Sequence, residues 1–480
     1  MILSTLVISL FHLVDSFSTH NLALPEGHRL DTIDGIQYIV FGHNVTASNL
    51  SYVTNSGICE TTPGVTQYSG YLTVGKNMNV FFWFFEARNS PDTTPLALWL
   101  NGGPGCSSMV GLFIENGPCH FNAGGTEPKL NPYSWNTVAN MLYVDQPVGV
   151  GLSYGDDDNV NSTASAAEFM WVFLQNFYAA FPKYQRREFG LFTESYGGHY
   201  GPKFATYFQS QNALIDQGKL HGHQKVSLAA VGINNGWIAP IVQFRSFIDF
   251  AVNNTYRQLL DPASSPKAVD DYNTDCLPYI QNCTSSTGND EDCAAADQSC
   301  YAVMSDPIEI SSGIDFDPYD VRANASDPNP PSNYIRYLLR RDIRKAIGAR
   351  VPGYTQCSEK ESDYFYQSGD GARSFLPELS ELVRSGVQVL LWAGDTDWTC
   401  NWMGNLDVAN MVDYPGQKSF TEQPVTPYTV KGTVYGEFKT VDNLSWLRVY
   451  QAGHEVPFYQ PQVALQAFWQ TISRLPLSPT

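Results

Sequence analysis

The sequence predicts an α/β protein: a mostly parallel central sheet with helices on both faces, interrupted by one long insertion. Three observations carry this expectation. Short, near-continuous apolar runs recur along the chain with helical patterns between them, as in parallel strands buried on both faces. A serine flanked by small residues directly follows one of those runs. Residues 237–352 lack the strand–helix rhythm, are rich in Asp, Asn, Ser and Pro, and hold four cysteines.

After a polar N-terminal stretch, the strands are read at 79–86 (NVFFWFFE), 96–100 (LALWL), 141–144 (MLYV), 188–193 (EFGLFT), 227–233 (SLAAVGI), 387–393 (VQVLLWA) and 447–450 (LRVY). Residues 163–181 read as an amphipathic helix, with Ala166, Phe169, Met170, Phe173 and Phe177 on one face. Ser165 and Glu168 have the spacing of a capping box at its start. A second helical stretch covers 200–211. The polar region reads as a cap riding on the sheet. The expected organisation is therefore a leader at 1–18, a core in two parts at 19–236 and 353–480, and a cap at 237–352.

Composition bounds the function. With 480 residues, 43% hydrophobic and only 16% charged, the chain can bury a large core and is not a disordered polymer. A net charge of -19 argues against nucleic acid or an anionic membrane as the main partner. The apolar run at 2–14 is too short to span a bilayer. Ser16 and Ser18 after it suit a signal peptidase site, although no Lys or Arg precedes the run. Seven Asn-x-Ser/Thr sequons fit a secretory route: Asn44, Asn49, Asn161, Asn253, Asn282, Asn324 and Asn443. The C-terminus has no hydrophobic tail for a lipid anchor. The expected location is outside the cell or in a vacuole.

Cys276, Cys283, Cys293 and Cys300 have no CxxC spacing and no histidine nearby, which disfavours zinc and favours disulfides. Of three connectivities the nested one is preferred, Cys276–Cys300 with Cys283–Cys293.

The sharpest chemical signal is TESYGG at 193–198, which suits a strand-to-helix turn exposing the Ser195 hydroxyl, with Thr193 where glycine is usual. A serine needs a base, and the base an orienting acid. Asp397, with Asp395 as competitor, follows the strand at 387–393, and His454 follows the strand at 447–450. Both lie where strand C-termini open into loops, the edge at which open α/β sheets place their sites. The chain order Ser, Asp, His is that of α/β-hydrolases.

WLNGGPGCSS (99–108), TESYGG (193–198), GDTDWTCNW (394–402) and AGHEVPFYQP (452–461) together resemble the serine carboxypeptidases. The resemblance implies an α/β-hydrolase fold with a cap insertion and release of single C-terminal residues from peptides and proteins in acid. It assigns the triad to Ser195, Asp397 and His454, choosing Asp397 over Asp395, and it implies no metal or organic cofactor. It places the oxyanion donors at the N–H groups of Gly103 and Tyr196. It assigns the grip on the substrate's free carboxylate to Asn101, the Gly102 N–H and Glu194, with Glu115 bonded to the same network. An ionised glutamate repels a carboxylate, so Glu194 and Glu115 must keep protons there. The resemblance also implies a Cys106–Cys357 bridge, which leaves Cys59 to pair with Cys119 and Cys400 as a free thiol near the site. An acyltransferase or esterase on the same fold has no general need for a carboxylate grip. A non-catalytic secreted binding protein has no need for a complete triad.

Overall fold

The computed structural model describes residues 24–122, 124–158, 160–283, 288–304, 315–327 and 330–480. The expected leader at 1–18 lies outside the described residues. The first five strands are β1 (His28–Ile33), β2 (Ile36–His43), β3 (Ser48–Thr54), β4 (Gln67–Gly75) and β5 (Met78–Phe85). They are followed by β6 (Leu96–Leu100), β7 (Cys119–His120), β8 (Lys129–Leu130), β9 (Asn140–Val144), β10 (Tyr154–Gly155), β11 (Glu188–Glu194) and β12 (Ser227–Asn234). The last four are β13 (Gln388–Gly394), β14 (Thr426–Val430), β15 (Thr433–Val441) and β16 (Leu444–Val449).

One large sheet runs β1-β2-β3-β4-β5-β9-β6-β11-β12-β13-β16-β15-β14, with β10 paired to β5; β7 and β8 pair separately. Its centre, β9-β6-β11-β12-β13-β16, is parallel throughout. Both flanks are antiparallel meanders. The polar N-terminal stretch thus contains four strands absent from the sequence reading. β1 is largely exposed and lacks an apolar period of two, and in β4 (QYSGYLTVG) Gly70 and Tyr71 interrupt the alternation.

The sheet is covered on both faces, and β5 shows why its sequence is so aromatic. Phe82 and Phe84 pack on Phe173 and Phe177 of α1 (Thr163–Ala180), while Trp83 and Phe85 face the opposite layer. That second layer includes Trp99, Phe192 and Trp135, whose indole stacks on Phe468. Burying such a ring contributes about 1.5–3 kcal/mol. α1 ends at Ala180, and its capping box is Ser162 with Ser165, one turn before the expected pair. The Ser162 hydroxyl accepts from the Ser165 N–H, and the Ser165 side chain returns to the Ser162 N–H. α2 (Gly197–Asp216) starts immediately after Ser195 and Tyr196 and outruns the 200–211 expectation at both ends.

Between β12 and β13 the chain is mainly helical, beginning with α3 (Pro240–Asn253), α4 (Ser265–Asp271), α5 (Leu277–Asn282) and α6 (Asp290–Met304). Cys276–Cys300 and Cys283–Cys293 tie α5 and the turn before it to α6, in the nested arrangement. Cys59–Cys119 and Cys106–Cys357 are the other two bridges. Six sequon asparagines are exposed. Asn443 is half-buried, and its Nδ2 donates to the carbonyls of Val383 and Val387. A glycan on that nitrogen would break both bonds.

Candidate active site

Residues after β6, β11 and β16 line one cavity, and Asp397 after β13 bonds to the His454 that borders it. β11 ends at Glu194, and Ser195 then takes a left-handed φ of +62° before α2 begins. This is the strained strand-to-helix turn that lifts a nucleophile off the sheet edge. Small neighbours are required for it. A Cβ on Gly198 would lie 2.4 Å from the Trp237 carbonyl oxygen, and one on Gly197 would lie 2.5 Å from the Thr193 Cβ. Thr193 is accommodated because its hydroxyl donates to the Gly197 carbonyl at 2.8 Å.

The loop after β6 comes against this turn. A Cβ on Gly102 would sit 2.4 Å from the Tyr196 nitrogen and 2.9 Å from the Ser195 Cβ, so only glycine allows the approach. Gly103 follows with φ +108°. The N–H groups of Gly103 and Tyr196 donate to no other described residue, as oxyanion donors require. Asp145, at the end of β9, anchors the loop: it accepts from the Ser107 hydroxyl at 2.6 Å and the Ser108 N–H at 3.0 Å. Burial pushes its carboxyl up to about 6.

Asp397 follows β13 and His454 follows β16, and His454 Nδ1 lies 2.7 Å from Asp397 Oδ2. Asp397 is fully buried and ringed by donors. Asn235 Nδ2 donates to it at 2.7 Å and the Cys400 N–H at 3.3 Å. Burial alone would lower the His454 pKa. The Asp397 carboxylate, with Glu455 and Glu115 beyond it, outweighs this and holds it at about 9. His454 and Ser195 line one cavity of about 650 Å³ together with Asn101, Gly102, Gly103 and Glu194. Asp395 lies outside this arrangement and accepts from Tyr256 and the Gln451 N–H.

Asn101 has a fixed orientation. Its Oδ1 accepts from Trp99 Nε1 at 2.8 Å and the Gly111 N–H at 2.9 Å, which turns Nδ2 toward two carboxyls. Nδ2 donates to Glu115 Oε1 at 3.0 Å and Glu194 Oε1 at 2.9 Å. Glu194 is driven well above the usual carboxyl range by burial and then by the charge of Glu115. Burial also raises Glu115, while its hydrogen bond with Glu194 pulls it back. Two buried carboxyls in this position disfavour each other's ionisation.

Cys400 is buried and unpaired, and burial followed by Asp397 raises its thiol well above the ordinary range. Its sulfur, an Asp397 oxygen and a His454 nitrogen lie within 4.8 Å of one another. A protonated thiol and a carboxylate already bonded to imidazole make this a poor metal cradle.

Sequence reasoning missed Asn234 and Asn235, at the end of β12. Asn234 Nδ2 bridges Glu194 Oε2 and the His454 carbonyl, so it joins the two halves of the site. Asn235 binds Asp397 and takes the Gly394 N–H on its Oδ1. The signal available was two asparagines closing an apolar strand at the carboxyl edge of the sheet.

The family model described as serine carboxypeptidase matches residues 57–474. Carboxypeptidase S1 of Penicillium janthinellum is 56% identical over 429 residues, covering 89% of this chain and 100% of that protein. Carboxypeptidase Y of Schizosaccharomyces pombe is 36% identical over 412 residues, 84% of this chain and 40% of that protein. Among solved structures, the prohormone-processing carboxypeptidase Kex1(delta)p of Saccharomyces cerevisiae superposes with a TM-score of 0.72 at 24% identity, covering 85% of this chain and 91% of that one.

Proposed function

The chain belongs to the serine carboxypeptidase family and is a peptidase, and from that premise we propose that Ser195, Asp397 and His454 perform the reaction while Asn101, Gly102, Glu115 and Glu194 hold the substrate's terminal carboxylate. One observation carries the reading. His454, bonded to the buried Asp397, and Glu194, linked to Glu115 through Asn101, both line the cavity that Ser195 borders.

Ser195 Oγ attacks the last peptide carbonyl. His454 Nδ1 is committed to Asp397, so the other ring nitrogen takes the serine proton and passes it to the leaving amino acid. The N–H groups of Gly103 and Tyr196 hold the oxyanion, and water then cleaves the acyl-enzyme. Both Nδ2 protons of Asn101 already point at glutamates. A terminal carboxylate is therefore met first by the proton shared between Glu194 and Glu115 and by the Gly102 N–H.

Two pH terms oppose each other. His454 must be neutral to act as base, and the Asp397 carboxylate favours its protonated form, so competence falls with pH. The glutamate pair must hold its proton, so binding weakens as pH rises. The clamp favours acid and His454 opposes it, so activity follows the balance of the two. Peptide and protein C-termini are the substrates, and 237–352 is the cap beside the site. The leader, the sequons and the disulfides support secretion or a vacuolar location. No helix among the described residues is long and apolar enough to cross a membrane.

The test is release of free amino acid from blocked dipeptides at about pH 4.5 and from their C-terminal amides, since acid and a free carboxylate are what the clamp requires. Release from the free acids, lost in Ser195→Ala and weaker from the amides, supports the reading. Ester transfer without amino-acid release overturns it in favour of an acyltransferase.

A further inference from the structure

Residues 315–327, between β12 and β13, touch the loop of Asp397 and the loop of His454 together. The Pro318 carbonyl accepts the Trp398 and Thr399 N–H groups at 3.0 and 3.2 Å. The Val321 N–H donates to the Thr396 carbonyl at 2.9 Å, so Asp397 is flanked on both sides. Between them, the Tyr319 carbonyl accepts the His454 N–H at 2.9 Å, and the Tyr319 ring lies 4.8 Å from the imidazole. Gly453 permits this approach: a Cβ there would lie 2.7 Å from the Tyr319 carbonyl oxygen. Neighbouring residues of one segment thus set the two loops in register.

An ion pair shapes that segment. Arg322 makes two parallel bonds to Asp320, Nε to Oδ1 at 2.8 Å and Nη2 to Oδ2 at 2.7 Å. The Arg322 N–H donates to Asp320 Oδ1 at 3.1 Å and closes the turn. Burial opposes the charge on Asp320, yet its bonds with Arg322 hold the carboxyl below the usual range, so the pair persists in acid. Arg322 Nη1 also donates to Gln451 Oε1 at 3.0 Å, on the His454 loop. The guanidinium lies 5.9 Å from the Tyr256 ring centre and 5.4 Å from that of Tyr459.

Asp395, the acid that does not reach His454, belongs to the same cluster. Its Oδ1 accepts the Gln451 N–H and its Oδ2 the Tyr256 hydroxyl, both at 2.8 Å. Arg448, paired with Glu437, stands 3.6 Å from it. Arg322, Asp320, Gln451, Tyr256 and Asp395 all lie outside the lining of the cavity that Ser195 borders. They can act on the reaction only through the residues they hold.

We propose that Arg322 and Asp320 are positioning residues for the reaction: their ion pair fixes the segment that sets Asp397 against His454. This rests on Asp397 and His454 as acid and base of the proposed triad. The two loops also meet directly, with the Thr396 N–H donating to the Ala452 carbonyl at 2.9 Å. Losing the ion pair therefore loosens the register without dismantling the triad. A full 1 Å misplacement of reacting groups costs about 10²-fold in rate, and a partial one should cost about tenfold.

The experiment measures kcat and KM from about pH 4 to 7 for a blocked dipeptide and its amide, in the full-length protein and in Arg322→Ala. In the variant kcat should fall about tenfold for both substrates. The ratio of their KM values, set by the glutamate clamp, should stay as in the wild type. The acid limb of kcat should move to lower pH, because a looser Asp397 supports the His454 imidazolium less. Loss of folded protein alone would lower the apparent kcat and leave that limb in place. A kcat within about twofold of the wild type, or a limb that stays or moves up, overturns the proposal. If Arg322→Ala does not fold, Gln451→Ala, at an exposed position, cuts the link from Arg322 to the His454 loop. It should shift the limb the same way with a loss of about threefold in kcat, and an unchanged profile overturns the proposal. Amino-acid release that persists in Ser195→Ala overturns the triad itself, whichever result Arg322→Ala gives.

Discussion

Asp397 and Glu194 are both buried carboxyls at the carboxyl edge of one sheet, yet they are built for opposite tasks. Asp397 is surrounded by donors: an amide from Asn235, the Cys400 N–H and the His454 imidazole. Glu194 receives amides from Asn101 and Asn234 but faces a second carboxyl, Glu115. One environment suits a negative charge that steadies an imidazolium. The other drives the group toward its neutral form, so that it can donate. Residue type alone does not decide which, because the deciding neighbours come from other strands.

The largest expected effect lies on the Asp397 side. Ser195→Ala should cut amino-acid release by more than about 10⁴-fold, and Asp397→Asn should lower kcat by about 10⁴-fold with the fold retained by circular dichroism. A small loss in Asp397→Asn would break the comparison, because an ionised partner for His454 would then be dispensable. Asn235→Ala removes one of the donors that prepare Asp397 and should lower kcat by about tenfold with little change in KM, the scale of one charge-assisted hydrogen bond.

On the Glu194 side, the wild-type KM for free-acid peptides should rise about tenfold for each pH unit above the pair's titration, and that for amides should not. Glu194→Gln, a permanent donor of similar shape, should flatten the free-acid profile. An unchanged profile in that variant means the shared proton is not what grips the substrate.

The smallest effect is on stability. Asp145, Glu455 and Glu194 have folded pKa values above their unfolded ones, at about 6 and about 8 for the first two. Between about pH 5 and 8 these carboxyls keep protons that the unfolded chain releases, so they lower stability as pH rises, while His43, His120 and His199, whose values are lowered, oppose them near pH 6.5. His454 acts in the same direction as the carboxyls: its stabilisation is complete below about 6.5 and is lost as pH climbs through about 9. Glu60 and Glu86 have lowered values and are ionised in both states across this window, so they leave the slope alone. Calorimetry should show Tm declining by a few degrees from pH 5 to 8, with a shallower decline in Asp145→Asn.

The parallel centre of the sheet was legible because its strands are nearly pure apolar runs, and Ser195 because a tight turn needs small neighbours. The N-terminal meander was not, since half-exposed edge strands such as β1 lack a strict period. The helix start at residue 163 was legible, but its capping pair was placed three residues late because Ser162 and Ser165 cap each other without a glutamate. Asn101, Glu115 and Glu194 came from motif resemblance, and their geometry explains why such residues are paired. Asn234 and Asn235 announce themselves only once β12 is set between β11 and β13.

The Cys106–Cys357 bridge has a topological consequence. Ser195 lies before the helical region between β12 and β13, whereas Asp397 and His454 lie after it. A single protease cut between Cys300 and Cys357 would yield two polypeptides, the first carrying Ser195 and the second Asp397 and His454. Cys106 belongs to the first and Cys357 to the second, so the pieces would stay covalently joined. Such a nicked enzyme would migrate at full mass without reductant and as two bands with it, while the sheet that brings Ser195, Asp397 and His454 together stayed assembled through β12 and β13.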